Sequence, residues 1–113
     1  MKTLSLHGKT FRSLANTDNG EVSGDTVFVY GQQDDLIWAD YQGGPITRGH
    51  LVGKIVDGRL EFVYHHINRE GELMTGKCTS YPEWTGEGKL RFREVWQWTC
   101  EDHSSGESVI EEI

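Results

Sequence analysis

A carboxylate set between aromatic residues is the strongest chemical signal in this 113-residue sequence. In Lys89–Thr99, KLRFREVWQWT, strict alternation puts Leu90, Phe92, Glu94, Trp96 and Trp98 on one face, with Cys100 next in phase. Arg91, Arg93, Val95, Gln97 and Thr99 fall on the other. A period of two marks a half-buried strand. An ionised Glu on the apolar face of such a strand is costly unless something pairs with it. Glu94 is therefore expected either to be satisfied inside the fold or to meet a ligand.

The remaining reactive residue types are less organised. His50, His65 and His66 invite a metal reading, since imidazole suits zinc or nickel. HEXXH, CXXC and HXH spacings are all absent, so His50 and His65 read as solvated and no metal site is expected. Cys78 and Cys100 have no neighbouring His or helix start to make a thiolate, and two cysteines make no disulfide framework. The G-x-S-x-G elbow, the P-loop and G-x-G-x-x-G are missing, as is the Q/R-x-x-G-x-G/A turn that receives a coenzyme A pyrophosphate. No cofactor is expected. Glu111 and Glu112 would give Glu94 a second carboxylate for acid–base work, provided that the last strand turns Glu111 inward.

The elements that must carry these groups are strands. Helical periodicity is absent. Turn signals recur at Thr17–Gly20, Gly31–Asp35, Gly43–Pro45, Asp57-Gly58, Asn68–Gly71, Thr85–Gly88 and His103–Gly106. Their spacing, roughly 8–12 residues, belongs to sandwiches and barrels. Seven such turns predict about eight strands joined as consecutive hairpins, and closure into a barrel removes both edges. The fold expected is a single all-β domain over residues 1–113, an antiparallel up-and-down, lipocalin-like barrel.

Registers follow from the turns. Asp57-Gly58 is a type I′ hairpin signal that sets Lys54 against Glu61, Val52 against Val63 and His50 against His65. Leu51, Ile55, Leu60, Phe62 and Tyr64 then face inward. A bulged turn at Asn68–Gly71 keeps Lys77 outside and turns Met74, Gly76, Cys78 and Ser80 inward. A similar loop at Thr85–Gly88 sets Ser80 across from Glu94 and Cys78 across from Trp96, with Cys100 near Met74. Thr26, Phe28 and Tyr30 make one inward face, and Ile37, Ala39 and Tyr41 the next. The final strand turns in either Val109, Glu111 and Ile113 or Ser108 and Ile110.

A barrel of about eight strands has an interior just wide enough to be filled or to hold one small ligand. Inward Gly49 and Gly53 are expected to leave space or to mark a bend. The candidate binding residues are Glu94, Trp96, Trp98, Tyr64, Tyr41, Tyr30, His66, Ser80 and Phe28, with Phe62 and Phe92 as further walls. In the competing reading, the tyrosine hydroxyls and Ser80 merely satisfy Glu94 in a closed core. Outside, Trp38, Val52, Val63 and Ile67 form an apolar patch suited to a homodimer.

Net charge is −7 and the pI about 5.1. No basic patch serves a nucleic acid or an anionic membrane, so neither is expected as a partner, and a neutral or cationic ligand is favoured. No apolar run approaches a membrane span and the start lacks a secretion signal, so a cytoplasmic location with free thiols is expected. The leading function is non-catalytic binding of a small molecule in the barrel. The alternatives are a small enzyme using Glu94 as acid or base with Tyr64 or His66, and a structural homodimer with a filled barrel.

Five segments carry a family resemblance: GKTFRSLANTDNGEVS (8–23), the Tyr41–Gly44 turn, GELMTGKC (71–78), WQWT (96–99) and SVIEE (108–112). With these the chain resembles a group of small bacterial proteins of lipocalin-type or calycin-like barrel, some of them labelled N-acetylglutamate synthase-like. The resemblance implies the barrel and carries no activity and no site residues with it.

Overall fold

The computed structural model describes residues 4–113. Eight strands follow one another: β1 Thr10–Asn16, β2 Val27–Gln33, β3 Leu36–Gly43, β4 Ile46–Val56, β5 Arg59–Asn68, β6 Leu73–Trp84, β7 Leu90–Trp98 and β8 Ser105–Glu112. Each pairs antiparallel with the next, and β1 pairs with β8 to close the barrel. This is the all-β up-and-down barrel expected from the turn spacing.

The turn chemistry sets the registers. Asp57 and Gly58 both have positive φ, 50° and 79°, as a type I′ turn requires, and Lys54 faces Glu61 while His50 faces His65. At Asn68–Gly71 the Asn68 side-chain oxygen accepts from the amides of Glu70 and Glu72 at 3.1 and 2.9 Å. That loop delivers Cys78 opposite Phe62 and Gly76 opposite Tyr64. Across β6 and β7, Ser80 faces Glu94 and Cys78 faces Trp96. Both cysteines are free, and Cys100 lies with its sulfur 4.0 Å from that of Met74.

The last strand takes one of the two open phases. Ser108 and Ile110 are buried, facing Glu94 and Phe92. Glu111 points outward, where its carboxylate binds the Arg91 guanidinium at 2.7 Å. The expectation of a second carboxylate beside Glu94 is therefore corrected. Ile110 fills an interior position that a charged Glu111 could occupy only at the cost of desolvation.

The barrel is solid at one end. Leu6, in the segment before β1, is fully buried and its amide donates to the Gln32 side chain at 2.8 Å. Beneath it Phe11 packs on Tyr30 and on Phe92, each pair with ring centroids 5.1 Å apart. Phe92 was expected to wall a pocket; it belongs instead to this closed end. Outside the barrel, Trp38, Val52 and Val63 lie in one cross-strand row, while Ile67 pairs with Leu73. Trp38 is half-buried because its indole lies across Gly31.

The inward glycines do not leave empty space. A Cβ on Gly53 would collide with the Glu61 carbonyl oxygen and with backbone and side-chain atoms of Phe62. Gly53 thus permits a close approach of β4 to β5. Gly53→Ala is expected to destabilise the fold by roughly 1–3 kcal/mol, the usual range for overpacking. Urea midpoints of the two proteins check this, and an unchanged midpoint contradicts it.

Candidate functional site

Glu94 anchors a short polar row that crosses three strands. Ser80 of β6 donates to one carboxyl oxygen at 2.6 Å, and Ser108 of β8 to the other at 3.2 Å. Glu94 is only 6% exposed. Burial pushes its pKa up to about 7, and the two hydroxyls hold it back from rising further. The Glu94–Ser80 contact was predicted from the registers. Ser108 was not singled out, because the phase of its strand was open.

Above this row lies a narrow cavity of about 40 Å³. Six aromatic residues line it, Phe28, Tyr41, Phe62, Tyr64, Trp96 and Trp98, together with Val22, Leu51 and Cys78. The rings form a continuous cluster, with centroids 5.0 Å apart for Phe28 and Tyr41, 5.9 Å for Tyr64 and Trp98, and 5.5 Å for Trp96 and Trp98. Glycines let the rings lie close to the strands: Gly49 sits under Tyr41, Gly76 under Tyr64 and Gly106 under Trp96. Burial raises the pKa of Tyr41 and Tyr64, and the charge of Glu94 adds to the effect, so both phenols stay protonated.

The outer end of the cavity is closed over by the connection between β1 and β2, residues 17–26, which contributes Gly20, Glu21 and Val22 to the lining. The Glu21 carboxylate is clasped by His66 Nε2 at 2.7 Å and by the Asn68 amide at 3.0 Å. On its other side the His66 ring meets the Tyr41 hydroxyl at 2.9 Å. Burial lowers the His66 pKa, against the opposing pull of Glu21. A neutral ring with its proton on Nε2 fits these contacts: Nε2 donates to Glu21 and Nδ1 accepts from Tyr41. Trp98 donates its indole N–H to the Asn19 carbonyl at 3.0 Å, and Asn16 donates to the Val22 carbonyl at 2.9 Å. The Asn16 side-chain oxygen is buried without a hydrogen-bond partner.

The predicted site residues divide in three. Glu94, Trp96, Trp98, Tyr64, Tyr41, His66 and Phe28 converge on the cavity. Ser80 does not line it; fully buried, it supports the carboxyl from the side. Tyr30 lies among the rings of the closed end, 2% exposed, with a hydroxyl that has no partner. Glu21 was missed because a loop residue carries no periodic signal, and Asn16 and Asn68 because they end their strands at the edge of the alternating pattern. The available cue was the length of the 17–26 connection, since a long loop in a small barrel usually covers something.

Chemically, the lining offers acceptors and aromatic faces. Its charged groups are Glu94 and Glu21, and no Lys or Arg reaches it. A family model described as "Avidin-like protein" matches residues 4–113, so the chain belongs to the avidin-like family. The calycin-like barrel expected from the sequence thereby gains a specific family. No curated protein and no solved structure gives a significant match.

The Glu94 carboxyl predicts a pH dependence. The folded state keeps this proton up to about pH 7, whereas an exposed Glu loses its proton near pH 4.3. Between those values the folded state holds the extra proton, so stability falls as pH rises through the window. The fall is on the order of 3 kcal/mol. His66 acts in the opposite direction, costing stability as pH drops below the ordinary imidazole value. Relative to Glu94→Gln, the native protein is expected to lose several degrees of Tm between pH 5 and 8; parallel Tm curves contradict this.

Proposed function

We propose that this member of the avidin-like family is a small-molecule binding protein. Its ligand lies between the Glu94 carboxyl and the 17–26 loop. The observation that carries the reading is a buried carboxyl at the floor of a cavity lined by six aromatic side chains. Such walls contribute apolar contact over much of a ligand's surface, while a few fixed polar groups orient it. Glu94 accepts hydrogen bonds from the inner end of the ligand. The Asn16 oxygen, left without a protein partner, is a second acceptor near the mouth. Barrels of this strand number hold one small ligand at most.

Entry requires the loop to move. Glu21 ties it to β5 through His66 and Asn68, and Asn19 ties it to Trp98. Trp98 is thus both a wall of the cavity and a fastening of its cover. The acid–base reading is favoured by one fact, a carboxyl whose pKa lies close to neutral. Of the two helpers named for it, His66 is engaged between Glu21 and Tyr41, while Tyr64 lines the cavity. A homodimer would use the Trp38, Val52 and Val63 row on the outer wall.

A thermal-shift screen of small molecules, biotin among them, followed by titration of the intrinsic tryptophan fluorescence, tests the binding reading. A ligand that raises Tm is expected to perturb the cavity tryptophans and to bind about 10–100-fold more weakly to Glu94→Gln, the range for losing a hydrogen bond to a charged group. A stabilising ligand whose affinity ignores Glu94→Gln contradicts the site.

A further inference from the structure

The cavity has one sign of charge. Glu94 sits at its floor and Glu21 at its cover, and the imidazole between β5 and the loop is held neutral by burial. The residues facing Glu94 are Tyr30 from β2, Tyr41 from β3, Tyr64 from β5, Cys78 and Ser80 from β6 and Ser108 from β8. None of them is cationic. The neighbouring Arg91 and Arg93 of β7 and Lys77 of β6 alternate to the outside. At the rim Arg69 is bound to the Gly44 carbonyl, beside Glu21, Asp25 and Glu70.

The walls add to this bias. Tryptophan and tyrosine faces attract a cation through their ring quadrupoles, most strongly where water is excluded. A low-dielectric pocket also magnifies the field of an unpaired carboxylate. The one buried polar atom of the lining that lacks a partner, the Asn16 oxygen, is again an acceptor. Above pH 7, where Glu94 is ionised, an anionic group entering here meets two carboxylates and no counter-charge.

We propose that the cavity selects a compact organic cation, an amidinium, guanidinium or ammonium on a short apolar or aromatic body, with its N–H groups directed at Glu94, and rejects carboxylate ligands. This rests on the binding reading above and assigns its ligand class. The cation supplies the partner that a buried carboxylate lacks. Binding therefore converts Glu94 fully to its ionised form, and any proton it held is released to solvent.

Benzamidine, benzamide and benzoate form a test set with one ring and charges of plus one, zero and minus one. Each is titrated into the native protein at pH 7.5 with tryptophan fluorescence as the readout. Benzamidine is expected to saturate at a concentration at least 10-fold below that for benzamide, and benzoate to show no saturation. Glu94→Gln should shrink the benzamidine advantage to under 3-fold. Glu107→Gln, which removes the same charge from the outer face, should leave it intact. Calorimetry at pH 6.5 in two buffers of different ionisation enthalpy should report proton release with benzamidine and none with benzamide. Benzoate binding as tightly as benzamidine, a benzamidine advantage that survives Glu94→Gln, or benzamidine binding without proton release overturns the ligand class and leaves the binding reading in place. No saturable response from any of the three overturns both.

Discussion

A single buried carboxyl constrains the whole barrel. Glu94 is kept inside by two hydroxyls, Ser80 and Ser108, which come from the strands on either side of it. That arrangement exists in only one register. Because strand side chains alternate, a one-residue slip of β7 would turn Glu94 outward and bring Arg93 and Val95 into the core. The polar row therefore helps to specify the fold even though it adds little to its stability. Two hydrogen bonds from neutral hydroxyls do not repay the loss of hydration by a full charge, which is why the carboxyl holds its proton to about pH 7.

The molecule divides its interior along the barrel axis. Below the Glu94 row, Leu6, Phe11, Tyr30, Phe92 and Ile110 form a filled core. Above it, rings stand against glycine-lined strands and leave a cavity. This upper half uses its aromatic residues as walls, with a loop fastened across the end. Glu21 shows how that fastening is made: its carboxylate meets residues 45 and 47 positions away in sequence, so the closure is wholly tertiary.

Much of the barrel was legible in the sequence, because turn type and alternation overdetermine the hairpins. Asp57-Gly58 and the Asn68–Gly71 bulge each imply a register, and the apolar pattern independently agrees. The Ser80–Glu94 pairing followed from that agreement. Three features were not legible, each for a separate reason. In the run SVIEE both faces mix polar and apolar residues, so the phase of β8 was decided only by its neighbours. Alternation reports whether a residue faces in, not how high it sits along the axis; Phe92 and Tyr30 face inward but below the cavity. A loop residue such as Glu21 has no period to read, and its role depends on contacts that only the closed barrel creates.

The protonation of Glu94 in the ligand-free protein decides whether the cavity holds an unsatisfied carboxyl. Carbon-13 NMR of the side-chain carboxyls, with the Glu94 signal assigned by its absence in Glu94→Gln, measures this directly. The structure predicts a titration midpoint for that signal of about 7. A midpoint near 4.3, the value of an exposed glutamate, would contradict it and would mean that the carboxylate already has the partner inside the barrel that the proposed ligand is meant to supply.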